Sequence, residues 1–211
     1  MPRLAVALPF AVALALPAVA GPSSSLLDVS PDGTRLLVAN TDNGTVTVVD
    51  LKARKALGEI PVGDHPEGVS WVGNGPLAVA TAYGDDKLLF LDTEQRKVVH
   101  ALPVADEPYG VVVTPDGRTA YVSHDYPGLV SEIDVTKRTV TRTVKAGDGC
   151  RGLALANDGK RVFVTEFFTA ALVAVDLAAG TATDRWAIHS QDNLARHVVL
   201  HPTRPKAYLS H

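Results

Sequence analysis

Apolar residues along this chain occur in short runs of two kinds. The segments TVTVVD (45–50) and ALVAVD (171–176) alternate or run apolar over five or six residues, whereas GVVVT (110–114) and HVVLH (197–201) are short and almost wholly apolar. Alternation is typical of strands with one buried face, and short apolar runs are typical of strands buried on both faces. Glycine, proline, aspartate and asparagine interrupt the runs at intervals of roughly ten residues. The pattern therefore predicts many short strands rather than helices.

One order of features recurs along the chain. Turn glycines occur at a constant spacing, at Gly33, Gly75, Gly117 and Gly159. Two further sets have the same spacing, namely Asp50, Asp92, Asp134 and Asp176, and Gly68, Gly110 and Gly152. Three markers that share one spacing indicate a structural repeat, here with a 42-residue period. In the third repeat we expect strands at 110–114, 119–124, 130–134 and 139–145.

Each recurring residue type has a local structural role. Pro-Asp-Gly, as at 31–33, predicts a tight turn between the first two strands, in which the aspartate bonds to the backbone and the glycine takes a positive φ. Asp50 and its equivalents are expected to end the third strand and open the next turn by the same kind of bond. Gly68 and its equivalents are expected to begin the innermost strand, where backbones crowd. A catalytic residue has no reason to recur in every repeat, so we interpret these residues as structural rather than catalytic.

Four-stranded units that repeat with a period of this length are typical of one all-β fold, the β-propeller. The second strands, LVAN (37–40), YVSH (121–124), FVTE (163–166) and YLSH (208–211), resemble the signature strand of the YVTN-repeat propeller family. The Pro-Asp-Gly turn before this strand and the VVDL or AVDL strand after it match as well. No unit ends a strand in Trp-Asp, so the tryptophan-aspartate family is a poorer match. The resemblance extends over nearly all of residues 21–211 and implies a secreted or periplasmic propeller, of a family that tends to have seven blades and often no assigned activity.

The first twenty residues predict a secretory signal peptide. One arginine precedes an apolar run from Leu4 to Leu16, and Ala18-Val19-Ala20 forms a small-x-small cleavage site before Gly21. The apolar run is too short to span a bilayer. We therefore expect a periplasmic or secreted protein with no membrane span after cleavage. The net charge of −3 and the lack of a basic stripe make nucleic acid an unsuitable partner.

Removal of residues 1–20 leaves about four and a half repeats. We place the blades near 26–67, 68–109, 110–151 and 152–196, with a partial copy at 197–211. An unclosed ring would leave apolar side chains in water, each worth about 1.5–3 kcal/mol when buried. We therefore expect a fragment of a longer chain; a four-bladed ring with a C-terminal tail is the alternative.

Candidate site residues come from positions where the repeats differ. The residue before the glycine that begins the innermost strand is Glu67, Tyr109 or Arg151. In the longer fourth blade-joining loop the equivalent residue is Arg196. The fourth position of the signature strand also varies, with His124, Glu166 and His211 among its residues. On the channel face we expect a ligand site formed by Glu67, Tyr109, His124, Tyr126, Arg151, Glu166, Arg196 and His211. Two arginines favour an anionic ligand, since a guanidinium grips a carboxylate or phosphate with two bonds. A solvated histidine at a loop edge is the alternative for His124.

Three functions are compatible with this site. The first is a binding or scaffold module for a small anionic ligand or a protein partner. The second is the propeller part of a redox protein, with haem c on a Cys-x-x-Cys-His motif beyond His211. The third is a lactonase-like hydrolase that uses Glu67, Glu166 and Arg151, although no nucleophile–base pair is visible and no catalytic residue is assigned.

Neither a metal nor a disulfide is expected. The seven histidines include no His-x-His pair and have no regular place in each repeat. Cys150 is the only cysteine, which excludes an internal disulfide and a Cys-x-x-Cys motif within these residues. Phe167-Phe168, between the second and third strands of the fourth repeat, is expected to pack against the neighbouring blade, with an exposed contact patch as the alternative.

Overall fold

The computed structural model describes residues 26–187 and 194–210. The predicted signal peptide at 1–20 and the candidate residue His211 lie outside the described residues. The described residues form four sheets of four strands and one sheet of two strands, in chain order. Two single-turn 3-10 helices, Thr41–Asn43 and Tyr83–Asp85, lie between strands.

The strands of each sheet follow one another along the chain, and each pairs with the next in antiparallel orientation. Sheet 1 contains β1 (Leu27–Val29), β2 (Arg35–Asn40), β3 (Thr45–Asp50) and β4 (Lys55–Pro61). Sheet 2 contains β5 (Pro66–Trp71), β6 (Leu77–Ala82), β7 (Lys87–Asp92) and β8 (Lys97–Pro103). Sheet 3 contains β9 (Pro108–Val113), β10 (Thr119–His124), β11 (Leu129–Asp134) and β12 (Thr139–Lys145).

Sheet 4 contains β13 (Cys150–Leu155), β14 (Arg161–Glu166), β15 (Ala171–Asp176) and β16 (Thr181–Ala187). Sheet 5 contains β17 (His197–Leu200) and β18 (Ala207–Ser210). The four strands of sheet 3 confirm the strands expected for the third repeat, and their boundaries agree closely with the expected ones. The prediction of many short strands rather than helices is confirmed for the described residues.

Neighbouring sheets pack against each other with their first strands at the centre. β5 contacts β9, β9 contacts β13, and β13 contacts β17. One hydrophobic cluster, with Leu37 and Trp71, joins sheets 1 and 2; a second, with Phe90 and Val122, joins sheets 2 and 3. In sheet 3, β9 is buried along its whole length whereas β12 is mostly exposed, so burial falls from the first strand of this sheet to the fourth. The result is an all-β, β-propeller-like fold.

The recurring aspartates form the turns expected of them. Asp50 Oδ1 accepts the backbone N–H of Ala53 at 2.7 Å, and Asp134 Oδ1 accepts that of Lys137 at 2.8 Å. Gly117, like its equivalents in sheets 1 and 4, takes a positive φ, here 70°. Sheet 2 differs, because Gly73 and not Gly75 has the positive φ, of 62°. The expectation for Gly75 was therefore wrong, since Pro76 favours extended backbone in the residue that precedes it.

In sheets 2, 3 and 4, a buried hydroxyl group joins the sheet to the next one along the chain. Thr81 Oγ1 accepts the N–H of Gly68 at 2.7 Å and donates to the carbonyl oxygen of Tyr109 at 2.7 Å. Two further hydroxyls repeat this bridge in sheets 3 and 4, Ser123 between Gly110 and Arg151, and Thr165 between Gly152 and Arg196. A Cβ on Gly68 would lie 2.7 Å from the Tyr109 carbonyl oxygen, which confirms that backbones crowd at this position.

Candidate functional site

Four of the predicted site residues meet where the first strands begin. Glu67, Tyr109 and Arg151 are the second residues of β5, β9 and β13, and Arg196 directly precedes β17. The Glu67 carboxyl and the Arg196 guanidinium both interact electrostatically with the Tyr109 hydroxyl, and the Arg151 guanidinium lies 5.0 Å from the centre of the Tyr109 ring. The structure thus brings together residues that are far apart in sequence because they hold the same position in successive sheets.

A second row of side chains, from the loops between second and third strands, packs onto the first. The Asp125 Oδ2 atom lies 2.7 Å from Nη2 and 2.9 Å from Nε of Arg151. The Phe167 ring centre lies 3.4 Å from the Arg151 guanidinium carbon and 5.4 Å from that of Arg196. Together these two rows make the inner-strand cluster, which consists of Glu67, Tyr109, Asp125, Arg151, Phe167 and Arg196.

Sequence reasoning missed Asp125 as a member of this cluster and assigned Phe167 only to packing. A signal was present, since Tyr83, Asp125 and Phe167 occupy equivalent positions in three successive repeats. Each contacts the first-strand residue of the following sheet: the Tyr83 and Tyr109 rings, for example, pack edge to face at 6.3 Å. The repeat spacing therefore predicts the positions of both rows, although the prediction of this cluster from the sequence used only the row at the start of the first strands.

Arg151 is fixed within the cluster and its charge is compensated. Its side chain is 15% exposed and that of Asp125 only 4%, so the ion pair between them is largely shielded from water. The rings of Tyr109 and Phe167 cover the guanidinium, and a cation over an aromatic face is attracted by the electrons of the ring. The second carboxylate oxygen, Asp125 Oδ1, is buried and has no hydrogen-bond partner among the described residues. Arg151 is therefore a structural cation rather than one available to a ligand.

Arg196 is in the opposite situation. The residue is exposed, and within the ranges 26–187 and 194–210 no carboxylate lies at ion-pair distance from it. Its guanidinium carbon lies 5.4 Å from the centre of the Phe167 ring, and its charge acts on the Tyr109 hydroxyl. This arrangement orients a charged group toward solvent and leaves donor capacity free for an anion.

Glu67 is half-buried beside these cations. Burial raises the pKa of the Glu67 carboxyl above its ordinary value, although Arg151, His65 and Arg196 oppose that rise with their positive charge. Burial also raises the pKa of the Tyr109 hydroxyl, and the negative charge of Glu67 acts in the same direction. Glu67 consequently takes up a proton more readily than an exposed glutamate does.

The remaining predicted residues do not join the inner-strand cluster. His124 is fully buried, with Nδ1 3.1 Å from the Asp106 carbonyl oxygen and Nε2 2.8 Å from Ser131 Oγ. The alternative of a solvated histidine is wrong, because this last residue of β10 is buried and both of its ring nitrogens are hydrogen-bonded. Burial lowers the pKa of His124, so its neutral form is favoured. Neither nitrogen is left for a ligand in this arrangement.

Glu166 and Tyr126 have other surroundings. Glu166 is buried and paired with Arg185, with 2.7 Å between Oε2 and Nη2, and Thr169 donates to the same carboxylate. Tyr126 is 81% exposed and follows Asp125 in its loop. Phe167 packs under the arginines, as expected, but its neighbour Phe168 is 64% exposed. His211 lies outside the described residues.

Two features are absent from the described part of the chain. No group of three or more His, Cys, Asp or Glu side chains there is placed to hold a metal ion. No helix within the same residues has the length and apolar character needed to cross a membrane.

Cys150 is buried, and burial raises the pKa of its thiol to about 12, so the thiolate form is disfavoured.

Comparisons with known proteins define the class of fold. No family model matches the sequence, and no curated protein matches it. Among solved structures, the chain is similar to hydrazine synthase of Kuenenia stuttgartiensis, with a TM-score of 0.74 and 23% sequence identity. The match covers 90% of this chain and 54% of that chain, so this protein spans about half the length of its structural neighbour. At this identity the similarity shows the all-β, propeller-like fold alone.

Proposed function

We propose that this chain is an exported β-propeller of the YVTN-repeat type that serves as a binding or scaffold module. Its blades follow the period of the sequence repeat, and its length accommodates about four and a half of them. The 42-residue spacing of the markers and the sheets of four antiparallel strands support this architecture. The predicted signal peptide supports export to the periplasm or secretion.

The ligand in this proposal is a small anion that binds at the inner-strand cluster. One observation carries the proposal: Arg196 is exposed, its guanidinium lies over the Phe167 ring, and it has no carboxylate partner among the described residues. Arg151, which is already paired with Asp125, positions Phe167 and Tyr109 and does not itself bind the anion. Function on a rigid frame is commonly located in such strand ends and loops.

Calorimetric titration of the purified chain with the sodium salts of acetate, benzoate, phosphate and sulfate tests this site. A bound anion should lose at least about tenfold in affinity in Arg196→Gln, because a hydrogen bond to a charged group contributes about 1.5–3 kcal/mol. Arg204→Gln is the matched control, since Arg204 is also exposed but lies in the turn between β17 and β18. Equal affinity in the Arg196 variant and the wild type would falsify the proposed site.

A further inference from the structure

Resting on the proposed function, we infer that the inner-strand cluster binds a monocarboxylate together with one proton, which Glu67 takes up. The proton comes from solvent and adds to a Glu67 carboxyl oxygen. No covalent bond to the ligand forms, and nothing is oxidised or reduced. The inference follows from the charges of the cluster and from which of them are already paired.

Two of the four charges form an ion pair with each other, and the other two do not. Arg151 and Asp125 neutralise each other at 2.7 Å in a largely buried ion pair. Arg196 and Glu67 remain, close enough to act on each other electrostatically, and both also act on the Tyr109 hydroxyl. With Glu67 ionised, Arg196 has a negative charge near it already. A bound anion would then share one cation with a second, half-buried carboxylate, and like charges at close range disfavour ionisation of one of them.

Protonation of Glu67 removes that conflict. Among the described residues, the site then has one cation without an ion-pair partner for one anionic charge, and the Glu67 hydroxyl can donate a hydrogen bond to a ligand oxygen. Burial already raises the pKa of Glu67, so the proton is added to a group predisposed to accept it. Because ligand and proton each favour binding of the other, the anion should bind more tightly as the pH falls.

A carboxylate fits this arrangement better than a dianion does. The planar guanidinium of Arg196 matches the two oxygens of a carboxylate. A dianion such as sulfate would need a second uncompensated cation, and the charge of Arg151 is compensated by Asp125. The ligand class is therefore a monocarboxylate.

Other ionisable groups around Glu67 could contribute a pH dependence of their own. His65 and Asp64 lie on the same loop, with 2.6 Å between His65 Nδ1 and Asp64 Oδ1. Tyr109 faces Glu67 from β9, Arg151 from β13 and Arg196 from the segment before β17. Both arginines keep their charge at all relevant pH values. His65 is thus the group whose titration must be separated from that of Glu67.

Titration calorimetry with acetate and benzoate, between about pH 5.5 and 8, tests the inference on the full chain. Each titration is run in two buffers that differ in ionisation enthalpy, which measures the protons taken up per ligand. We expect up to one proton, and an affinity that falls by up to about tenfold per pH unit once free Glu67 is ionised. Glu67→Gln should bind without proton uptake or pH dependence, whereas the control His65→Gln should retain most of both. Sulfate should bind more weakly than acetate in the wild type.

The outcomes separate this inference from the function on which it rests. Acetate binding that is lost in Arg196→Gln but involves no proton would overturn the inference and leave the anion site intact. Sulfate binding as tight as acetate binding would likewise overturn it. If none of the anions binds the wild type, both proposals are wrong. Proton uptake is measured on the wild type, so the test does not depend on whether Glu67→Gln folds.

Discussion

The hydroxyl groups of Thr81, Ser123 and Thr165 explain why a small polar residue occupies the third position of the signature strand in the second, third and fourth repeats. Each accepts an N–H from its own sheet and donates to a carbonyl of the following sheet. Thr81 is fully shielded from water, so the two backbone groups that it bridges would otherwise lack partners. An unpaired buried backbone group costs folding free energy, so we expect each of these single hydroxyls to contribute substantially to stability.

The substitution Thr81→Val removes this hydroxyl while keeping the shape of the side chain. We expect the free energy of unfolding to fall by about 1–3 kcal/mol, because the Gly68 N–H and the Tyr109 carbonyl lose their partner. Urea denaturation measures the change. Thr143→Val, at an exposed position on β12, is the control and should stay within about 0.5 kcal/mol of the wild type. A Thr81 variant as stable as the control would show that water replaces the bridge.

Between neighbouring strands, the close approach of β5 and β9 depends on glycine. A Cβ at Gly68 would meet only backbone atoms, with the Tyr109 carbonyl oxygen at 2.7 Å and the Val111 nitrogen at 2.8 Å. Backbone atoms cannot rotate away as a side chain can, so the strands themselves would have to separate. The same crowding occurs at Gly152, where a Cβ would lie 2.6 Å from the Arg196 carbonyl oxygen.

We therefore expect Gly68→Ala to lower the free energy of unfolding by about 1–3 kcal/mol, the usual range for overpacking. Gly75→Ala provides a control in the same sheet, because nothing lies within 4 Å of a Cβ there and its φ is not positive. That variant should match the wild type or gain up to about 1 kcal/mol through the unfolded state. Thermal and urea denaturation of the pair measure both changes, and equal losses in the two variants would contradict the crowding.

The molecule as a whole is held together by layers of apolar side chains between sheets, and a few buried or half-buried ionisable groups interrupt these layers. Asp28 of β1 is one of them: its Oδ2 accepts the Trp71 N–H at 2.9 Å, and its carbonyl accepts the indole Nε1–H at 3.1 Å. These bonds join sheet 1 to sheet 2. Burial raises the pKa of Asp28 from 3.8 to about 6, while the Trp71 N–H opposes that rise.

Folding stability should consequently respond to pH through Asp28. Because the folded pKa exceeds the unfolded one, the contribution of Asp28 is fully present below about pH 3.8 and is lost as the pH rises through about 6. Asp28→Asn keeps an acceptor for Trp71 and removes the charge. Its melting temperature should exceed that of the wild type by a few degrees at about pH 8 and equal it at about pH 3.5. Calorimetric melting of both proteins across this range is the measurement, and a constant difference at every pH would refute the assignment.

Much of the fold could be predicted from short-range features of the sequence. Strand boundaries in sheet 3 and the Asp50 and Asp134 turns follow from alternation and turn chemistry, which act over a few residues. The departures arose where a neighbouring residue changed the local outcome, as at Gly75 before Pro76. The register shift between third and fourth strands, as at Val48/Val49, was also not predicted, because a bulge depends on how two strands twist against each other.

The candidate site was predictable only in part, for a reason rooted in distance along the chain. The spacing of variable positions was enough to select Glu67, Tyr109, Arg151 and Arg196, since equal positions in successive repeats must lie side by side when the sheets stack. Which charges cancel could not be deduced in that way. Arg151 is paired with Asp125, Arg196 has no carboxylate partner among the residues that the structure describes, and His124 is buried. These outcomes depend on side-chain packing between sheets, which a one-dimensional pattern does not contain.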